Sequence, residues 1–532
     1  MPRTERKLRL RSRAGAAAVV MALTIAGCTA TSNPDGSPSP SPRSQESASP
    51  DEGALLREMV PGLHADKGLF EQVDSSVNKP AGQDIAVSVD ASAEPIGQWQ
   101  STNVGLSFEL RELADPRWEP GASSLEMLIG ELDGAALRFG GNSADRNVWF
   151  TDSNEPAPDW ARATLTPADF ERLARFADAT NVQVSLVVDL GHGDAKRAAA
   201  MALAAHSALG ERLVAVSIGN EPNGFTIKGR DGTSVRDSNW DTDAYRKQLK
   251  EFATAIHKAA PDLPIAGPGA YDKAWWDAFI EAEIPGTVAM TQHWYPLWSC
   301  PGKQGAGTPE AKPTVANLVS ASIHERASNT FEKAHEVATA ADLSLWMEET
   351  GPTSCSGGNE TSRTHAQSLW TVDYALNGAA NGVERMAFHS TIDACRGGAP
   401  MSAVCHDGRL GKQDPDVFGQ VGYLGLLFAS QLSSGAMVPA TVSGSDSVYA
   451  YAVRHSVGID VVIINLQDPK RVGASKLTIS VGARGEVTEA SQLGGATFSQ
   501  TGASQLVPLR TASADSVDTI APGSAMLIRY WN

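Results

Sequence analysis

The stretch LVAVSIGNEPNGF, residues 213–225, combines a strand pattern with an acidic residue at its end. Its apolar first half predicts a buried strand, and Pro222 prevents that strand from continuing past Glu221. A carboxyl group is therefore expected at the C-terminal end of the strand, with the amide of Asn220 beside it. Such a carboxyl group suits proton transfer to a leaving oxygen, while the amide can donate to a substrate hydroxyl. An ordinary solvated glutamate at a strand end is the alternative interpretation of this stretch alone.

A second carboxylate follows a similar strand. Residues 343–347, LSLWM, predict another buried strand, and Glu348 and Glu349 come directly after it. Two further strands are predicted between the two acidic ends, near residues 264–267 and 288–293. In a parallel (β/α)8 barrel, the C-terminal ends of all strands lie on one face. The acids would then end strands four and seven and meet across the mouth of the barrel.

The rest of the central region completes the alternation of strands and helices. Strands one, two, three and eight are predicted at residues 104–109, 136–139, 183–189 and 385–389. Thr166 and Pro167 form a helix start, and residues 243–259 are typical of an amphipathic helix. This pattern predicts an α/β fold of the (β/α)8 class, also called a TIM barrel. A Gly/Pro/Lys-rich insert at about residues 300–313 is expected to border the cleft.

A second pattern begins after about residue 429. Short strands are predicted between Gly, Ser and Asp turns, at residues 448–453, 459–465, 476–481, 485–492 and 525–531. This pattern predicts a C-terminal antiparallel β-sandwich. We therefore expect a catalytic barrel over residues 101–430 and a β-sandwich domain over residues 431–532. Residues 85–90, within a segment assigned to 81–100, predict one more strand ahead of the barrel.

The N-terminus is typical of an exported protein. Residues 1–27 combine a basic start with an apolar run that is too short to span a bilayer. The run ends in IAGC, which resembles a bacterial lipobox and would make Cys28 the lipidated first residue. Residues 28–80 are predicted to be a Ser/Pro-rich tether and a flexible N-terminal region. We expect a protein anchored by its lipid to the outer face of the bacterial cell membrane, with an ordinary secretory signal as the alternative.

The charge and the cysteines limit the partners further. The formal net charge of −17 argues against nucleic acid as a partner. Besides Cys28, the chain has four cysteines, an even number that suggests disulfides in an exported protein. Of the three ways to pair them, we favour Cys300–Cys355 and Cys395–Cys405, with free buried thiols as the alternative. No Cys-x-x-Cys pair occurs, and we expect neither a metal site nor a cofactor.

Five segments, in this order, resemble one known family. They are GLSFEL (105–110), LRFGGN (137–142), GNEPN (219–223), HWY (293–295) and WMEET (346–350). Together they resemble glycoside hydrolase family 79, which comprises β-glucuronidases and heparanase-like enzymes. This family belongs to a clan of retaining glycosidases built on the (β/α)8 barrel. The resemblance implies an oligo- or polysaccharide substrate, and it also implies that the N-terminal strand joins the β-domain.

The resemblance implies roles for the residues at the strand ends. Glu221 would be the general acid/base, and Glu349 the nucleophile, because the family places its nucleophile directly before a threonine. From their positions, Arg138 at the end of strand two and Tyr295 after strand six are expected to hydrogen-bond to Glu349. A structural ion pair for Arg138 and core packing for Tyr295 are the alternatives. Glu348 is the rival nucleophile, but adjacent strand residues point to opposite faces, so only one of the two acids is expected to face the cleft.

The resemblance implies a β-linked glucuronosyl group as the substrate, although one piece of the pattern differs. In the family, a Tyr-Gly-Gly stretch after the nucleophile holds the sugar carboxylate. Here residues 353–359 read TSCSGGN, so Gly357 and Gly358 are present but a serine replaces the tyrosine. A same-clan glycosidase for a neutral sugar, such as a β-xyloside or β-glucoside, therefore remains an alternative. A non-catalytic, glycan-binding surface lipoprotein is the other.

Further candidates for sugar contacts lie near the strand ends. Polar side chains that could bind hydroxyls are Asn220, Asn142, Asp145 and Glu109. Trp294 could stack on a sugar ring, as could Trp149 and Trp298.

Overall fold

A closed barrel of eight parallel strands forms the centre of the computed structural model. The structure describes residues 79–153, 155–229, 232–300, 307–355, 361, 364–392, 402–406, 417–482, 487–495, 497–499, 505–509 and 517–531. In chain order, the barrel strands are Gly105–Glu109, Ala136–Gly140, Gln183–Val188, Leu213–Ile218, Ile265–Ala270, Thr287–Trp294, Ser344–Thr350 and Val383–His389. Each coincides with a predicted strand to within a few residues, so the predicted fold is confirmed.

Helices cover the outside of the barrel. The longer ones are Pro167–Thr180, Ala195–Leu209, Thr242–Ala259, Lys273–Glu281, Ala321–Ala340, His365–Ala380 and Val421–Ala429. The first of them begins as predicted, with Pro167 in its first turn and the Asp169 carboxylate accepting from the backbone N–H of Thr166 at 2.7 Å. These helices bury apolar faces against the strands. Because the eight strands are parallel, their C-terminal ends lie on one face of the barrel.

The β-domain consists of two facing sheets. The larger sheet contains, in order, Gly97–Trp99, Gly435–Val438, Val448–His455, Gly458–Asn465, Ser524–Trp531, Val487–Gly494 and Gln505–Leu509. The smaller sheet contains Ala440–Ser443, Ile85–Val89, Ser475–Val481 and Thr519–Ile520. Buried side chains from both sheets, among them Val87, Val461 and Ile528, share one apolar core, as in a β-sandwich.

The strand Ile85–Val89 precedes the barrel in the chain but lies within the β-domain. It pairs antiparallel with Ala440–Ser443 and parallel with Ser475–Val481, so the smaller sheet is mixed rather than wholly antiparallel. The chain therefore begins its described part in the β-domain, runs through the barrel and returns. The domain boundaries given above stay a prediction.

One predicted disulfide is present, joining Cys300 to Cys355 with their Cα atoms 5.2 Å apart. It connects the segments that follow strands six and seven. Cys405 is also disulfide-bonded, while its expected partner Cys395 lies outside the described residues. Cys28 lies outside them too. Among the residues that the structure describes, no helix has the length and apolarity needed to cross a membrane.

Candidate active site

Glu349, in the seventh barrel strand, is held by two donors. Its Oε2 accepts a hydrogen bond from Arg138 Nη1 at 2.8 Å, and its Oε1 accepts one from the Tyr295 hydroxyl at 2.8 Å. Arg138 is itself buried and also donates to Ser107 Oγ at 2.9 Å. The sequence predicted both contacts with Glu349. Their effect is to fix the orientation of this carboxylate at the end of strands two, six and seven.

The charge of Glu349 is favoured by its surroundings. Burial alone raises the pKa of this carboxyl group, but His389, His293 and Arg138 lower it, as does the Tyr295 hydrogen bond. The net result is a pKa well below the usual range. Glu349 is therefore ionised near neutral pH, which is the form that a nucleophile requires.

Glu221 lies directly beyond the fourth strand in a left-handed backbone conformation, with φ of 48°. Such a conformation costs a non-glycine residue about 1–3 kcal/mol and is typical of functional sites. Two backbone hydrogen bonds support it: the Glu221 N–H donates to Gly269 O at 3.1 Å, and its carbonyl accepts from the Gly224 N–H at 2.7 Å. The side chain is 20% exposed, compared with 7% for Glu349.

The two acids approach each other across the barrel mouth, with His293 between them. His293 Nδ1 lies 3.1 Å from Glu221 Oε1 and 3.9 Å from Glu349 Oε2. A ring nitrogen of His293 and one carboxylate oxygen of each acid all lie within 4.8 Å of one another. The expectation that the ends of strands four and seven would meet is therefore confirmed by the geometry.

Asn220 connects Arg138 to the loop after strand two. Its Oδ1 accepts from Arg138 Nη2 at 2.7 Å and from the Gly141 N–H at 3.1 Å. Its Nδ2 is buried and has no hydrogen-bond partner among the described residues. The amide is thus held by its oxygen, and its two N–H groups remain available beside Glu221.

Asp145 supports the backbone instead of opening on the cleft. Its Oδ2 accepts from the Asn220 N–H at 2.7 Å, and its Oδ1 accepts from the N–H groups of Leu190 and Gly191, each at 2.8 Å. Burial and the charge of Asp189 raise the pKa of Asp145 to about 7, against the effect of the three hydrogen bonds. This arrangement indicates a positioning role for Asp145 rather than the predicted contact with a sugar hydroxyl.

A β-bulge separates the two adjacent acids of strand seven. Gln292 pairs with Met347 and His293 pairs with Glu349, so Glu348 is an extra residue in the strand. The expectation that side chains 348 and 349 point to opposite faces assumed a regular strand, which the bulge interrupts.

Glu348 consequently also lies inside the barrel, where Arg138 approaches both acids, with Nε at 3.7 Å from Glu348 Oε2. Glu348 accepts from Ser185 Oγ at 2.5 Å and from Arg385 Nε at 2.9 Å. All these groups are buried. The expected opposition of the two side chains is not observed, but only Glu349 reaches Tyr295 and His293.

The remaining predicted sugar contacts differ in their placement. Asn142 is exposed, and Glu109 is half-buried and accepts from the Ser143 N–H at 2.7 Å. Trp294 is half-buried and stacks on Tyr374, in the helix His365–Ala380, with ring centroids 5.8 Å apart, and its contact with a sugar stays a prediction. Gly357 and Gly358 lie outside the described residues.

The other two tryptophans also differ. Trp149 lies under the guanidinium of Arg197, which is 3.5 Å from its ring centroid, while Trp298 is 46% exposed. Trp298 therefore remains available to a ligand.

Two residues of this region were not assigned a role from the sequence. His293 is fully buried and contacts Glu221, and Tyr271, which follows strand five, is 50% exposed. Side chains alternate in direction along a strand, and this alternation could have identified His293. Every second residue from Thr291 to Tyr295 makes a contact here: Thr291 accepts from the Gly269 N–H, His293 contacts Glu221, and Tyr295 donates to Glu349. Tyr271 carried only the weak signal of an aromatic residue at a strand end.

Glu221, His293 and Glu349 could also supply ligand atoms to a metal ion. Against this use, both oxygens of Glu349 already accept hydrogen bonds, one of them from a guanidinium group. A cation bound there would be repelled by Arg138. A hydrogen-bonded Glu349 beside a second, partly exposed acid fits two-carboxylate chemistry better than a metal centre, and metal independence stays a prediction.

Comparison with known protein families supports a glycoside hydrolase. Residues 187–375 match the family model described as glycosyl hydrolase family 79, N-terminal domain. This match confirms the resemblance to family 79, and it contains both acids. No curated protein sequence matches the chain.

Solved structures share the fold at low sequence identity. A 4-O-α-L-rhamnosyl-β-D-glucuronidase from Fusarium oxysporum 12S has a TM-score of 0.62 and 19% identity, covering 84% of this chain and all of its own. A family 51 arabinofuranosidase from Xanthomonas axonopodis pv. citri has a TM-score of 0.61 and 13% identity, with the same coverage. An α-L-arabinofuranosidase from Thermotoga maritima has a TM-score of 0.58 and 12% identity, covering 84% and 99%. All three likenesses concern the fold.

Proposed function

The chain carries a glycoside hydrolase family 79 domain, and from its site we propose that it is a retaining glycosidase that removes a β-linked glucuronosyl residue from an extracellular glycan. The observation that carries the proposal is the approach of Glu221 and Glu349, whose oxygens come within 4.8 Å. Retaining enzymes hold their two carboxyl groups about 5–5.5 Å apart, whereas inverting enzymes need about 6.5–9.5 Å to admit a water molecule.

The two acids would act in two displacements. In the first, a Glu349 oxygen forms a bond to the anomeric carbon while the glycosidic bond breaks, and Glu221 gives its proton to the leaving oxygen. In the second, Glu221 takes a proton from water, the water oxygen bonds to the anomeric carbon, and Glu349 leaves as a carboxylate. Arg138 and Tyr295 favour the ionised Glu349 on which the first step depends.

The preference for glucuronate rests on the family 79 match and on the likeness to a β-glucuronidase structure. The free N–H groups of Asn220 support binding of a sugar hydroxyl beside the acid, because they are buried and lack a partner among the described residues. They do not distinguish a uronate from a neutral sugar. The serine at the position of the family tyrosine favours the neutral-sugar alternative.

A panel of 4-nitrophenyl glycosides tests the proposal directly. We expect the highest kcat/KM for the β-glucuronide, ahead of the β-glucoside and the β-xyloside. A higher value for one of the neutral glycosides would reject the uronate preference and leave the mechanism intact. Proton NMR of the first-formed sugar should show the β-anomer, and an α-anomer would reject the mechanism.

A protein that only binds glycans would fail a different test. A 2-deoxy-2-fluoro glycoside with a good leaving group should accumulate as an ester on Glu349, which peptide mass spectrometry can locate. Absence of the ester, together with absence of turnover, would favour the glycan-binding alternative.

We also propose that the protein is exported and held on the cell membrane through a lipid on Cys28. The support is the IAGC sequence and the presence of a disulfide, which is typical of exported proteins. Cys28→Ser should release the protein from the membrane fraction. Unchanged retention of that variant would show that another part of the chain holds it there.

A further inference from the structure

Tyr271 lies beside the acid Glu221 without belonging to the catalytic cluster. It comes directly after strand five, whose Gly269 carbonyl accepts the Glu221 N–H at 3.1 Å. The next residue, Asp272, caps the helix Lys273–Glu281 by accepting from the Ala274 N–H at 3.0 Å. Tyr271 is therefore held between two fixed points, and its position relative to Glu221 is defined by backbone contacts.

The side chain of Tyr271 is unusually open for this part of the barrel. It is 50% exposed, whereas Glu349, His293 and Arg138 are buried. Among the described residues, no aromatic ring stacks on that of Tyr271. An exposed ring in a region of buried polar groups is suited to a ligand with an apolar face, such as a sugar ring.

Asn223 adds a polar group next to this ring. It lies in the short 3-10 turn Pro222–Gly224, directly after Glu221. Its Oδ1 is buried and has no partner among the described residues. Burial and the charges of Glu221 and Asp272 raise the pKa of the Tyr271 hydroxyl, against the smaller effect of Asn223. The hydroxyl is therefore neutral at working pH.

We infer that Tyr271 and Asn223 form the binding site for the leaving group of the reaction, and that this leaving group is itself a sugar. The ring of Tyr271 would stack on the sugar, and Asn223 Oδ1 would accept from one of its hydroxyls. This inference rests on the proposed function, which places the leaving group on the Glu221 side of the cleft. The general acid must reach the leaving oxygen, so the leaving group lies next to Glu221.

The test compares substrates with and without a ring in the leaving group. The probes are the 4-nitrophenyl β-glycoside of the sugar that the panel selects and the corresponding β-glycosyl fluoride, whose leaving group is one atom. Tyr271→Ala should lower kcat/KM for the nitrophenyl glycoside about tenfold more than for the fluoride, the loss expected for one aromatic contact. Tyr271→Phe, which keeps the ring, should keep the ratio within about threefold of wild type.

A second readout uses a sugar in the same site. With the glycosyl fluoride as donor and methyl β-D-glucoside as acceptor, transfer to the acceptor should fall relative to hydrolysis in Tyr271→Ala and in Asn223→Ala. Trp531→Ala removes another exposed aromatic side chain, 45% exposed in the β-domain, and serves as the matched control. It should leave both ratios at their wild-type values.

The outcomes separate this inference from the proposed function. If the wild type cleaves glycosides but Tyr271→Ala changes both substrates equally, or changes neither, the leaving-group site is overturned and the glycosidase remains. If the wild type cleaves none of the glycosides and no fluoride, the proposed function fails and this inference fails with it.

Discussion

The barrel contains two clusters of charged residues, one above the other. Consecutive residues of strand seven, Glu349 and Glu348, each contribute the buried carboxylate of one cluster. The mouth cluster consists of Glu349, Arg138, Tyr295, His293 and Glu221. In it, a carboxylate bound to an arginine faces a second, partly exposed acid within 4.8 Å. A similar carboxylate–arginine pair in the layer below, Glu348 and Arg385, is fully buried.

That lower layer, the inner cluster, consists of Glu348, Arg385 and Ser185. Glu348 accepts from both of the other side chains, and all three are buried. Burial and a guanidinium partner are thus common to both clusters. The two clusters differ in exposure: the mouth cluster includes Glu221, whose side chain is 20% exposed, whereas all three members of the inner cluster are buried. The same ion pair can therefore serve chemistry in one layer and structure in the next.

The largest expected difference between the clusters comes from matched substitutions of the two adjacent acids. Glu349→Gln should lower kcat by several orders of magnitude with little change in the free energy of unfolding, because it removes the nucleophile but keeps its shape. Glu348→Gln should instead lower the free energy of unfolding by about 3 kcal/mol, because it leaves Arg385 buried without its charge partner. Kinetics on the preferred nitrophenyl glycoside and urea unfolding measure the two effects.

The reverse result would exchange the roles of the two clusters. If Glu348→Gln were folded and inactive while Glu349→Gln kept wild-type activity, the nucleophile would be Glu348.

The next effect concerns Glu221. Glu221→Gln should lower kcat/KM about 10²–10⁴-fold for a glycoside with a poor leaving group, since general acid catalysis contributes about that much. The loss should be much smaller for the glycosyl fluoride, which needs little proton donation. Added azide should accelerate turnover and give a β-glycosyl azide, because azide attacks the enzyme-bound sugar without a general base. A uniform loss on both substrates, without azide rescue, would assign Glu221 to positioning.

A smaller effect should appear in the pH dependence. The Tyr295 hydroxyl lowers the pKa of Glu349, so Tyr295→Phe should raise that pKa and shift the acid limb of kcat/KM to higher pH. We expect kcat/KM at neutral pH to fall about tenfold, since a hydrogen bond to a charged group contributes about 1.5–3 kcal/mol. If the acid limb of the kcat/KM profile stays at the wild-type pH in Tyr295→Phe, Tyr295 does not act through the charge of Glu349.

Tyr245→Phe is the matched control for this prediction. Tyr245 is also buried, and its hydroxyl has no partner among the described residues. It lies on the helix Thr242–Ala259, outside the mouth cluster. Its replacement should leave the pH profile unchanged.

The smallest expected effect is that of metal removal. If the mouth cluster works through two carboxyl groups, dialysis against EDTA should leave kcat/KM unchanged, and added divalent ions should not raise it. Loss of activity on chelation, restored by one divalent ion, would instead assign Glu221, His293 and Glu349 as metal ligands.

Hydrophobic patterning determined much of this molecule in advance. Each of the eight barrel strands was visible as a short apolar run, and Pro222 marked the end of one of them. Because parallel barrel strands open on one face, the positions of Glu221 and Glu349 in the chain were enough to predict that they meet. The contacts of Arg138 and Tyr295 with Glu349 were predicted from their positions at the ends of strands two and six. These features depend on local periodicity and on a fixed topology, both of which a sequence contains.

Strand register and the packing between distant segments were visible only in the tertiary structure. The bulge at Glu348 shifts one residue against strand six, and a sequence pattern of period two cannot show it. Trp294 was predicted to contact the sugar, and its ring stacks on Tyr374. Tyr271, to which the sequence assigned no role, is half exposed and lies beside Glu221. Asp145 was expected to face a ligand, yet three backbone N–H groups surround its carboxylate. In each case the side chain's partner lies far away in the chain, so its direction is set by the assembled barrel and not by its neighbours in sequence.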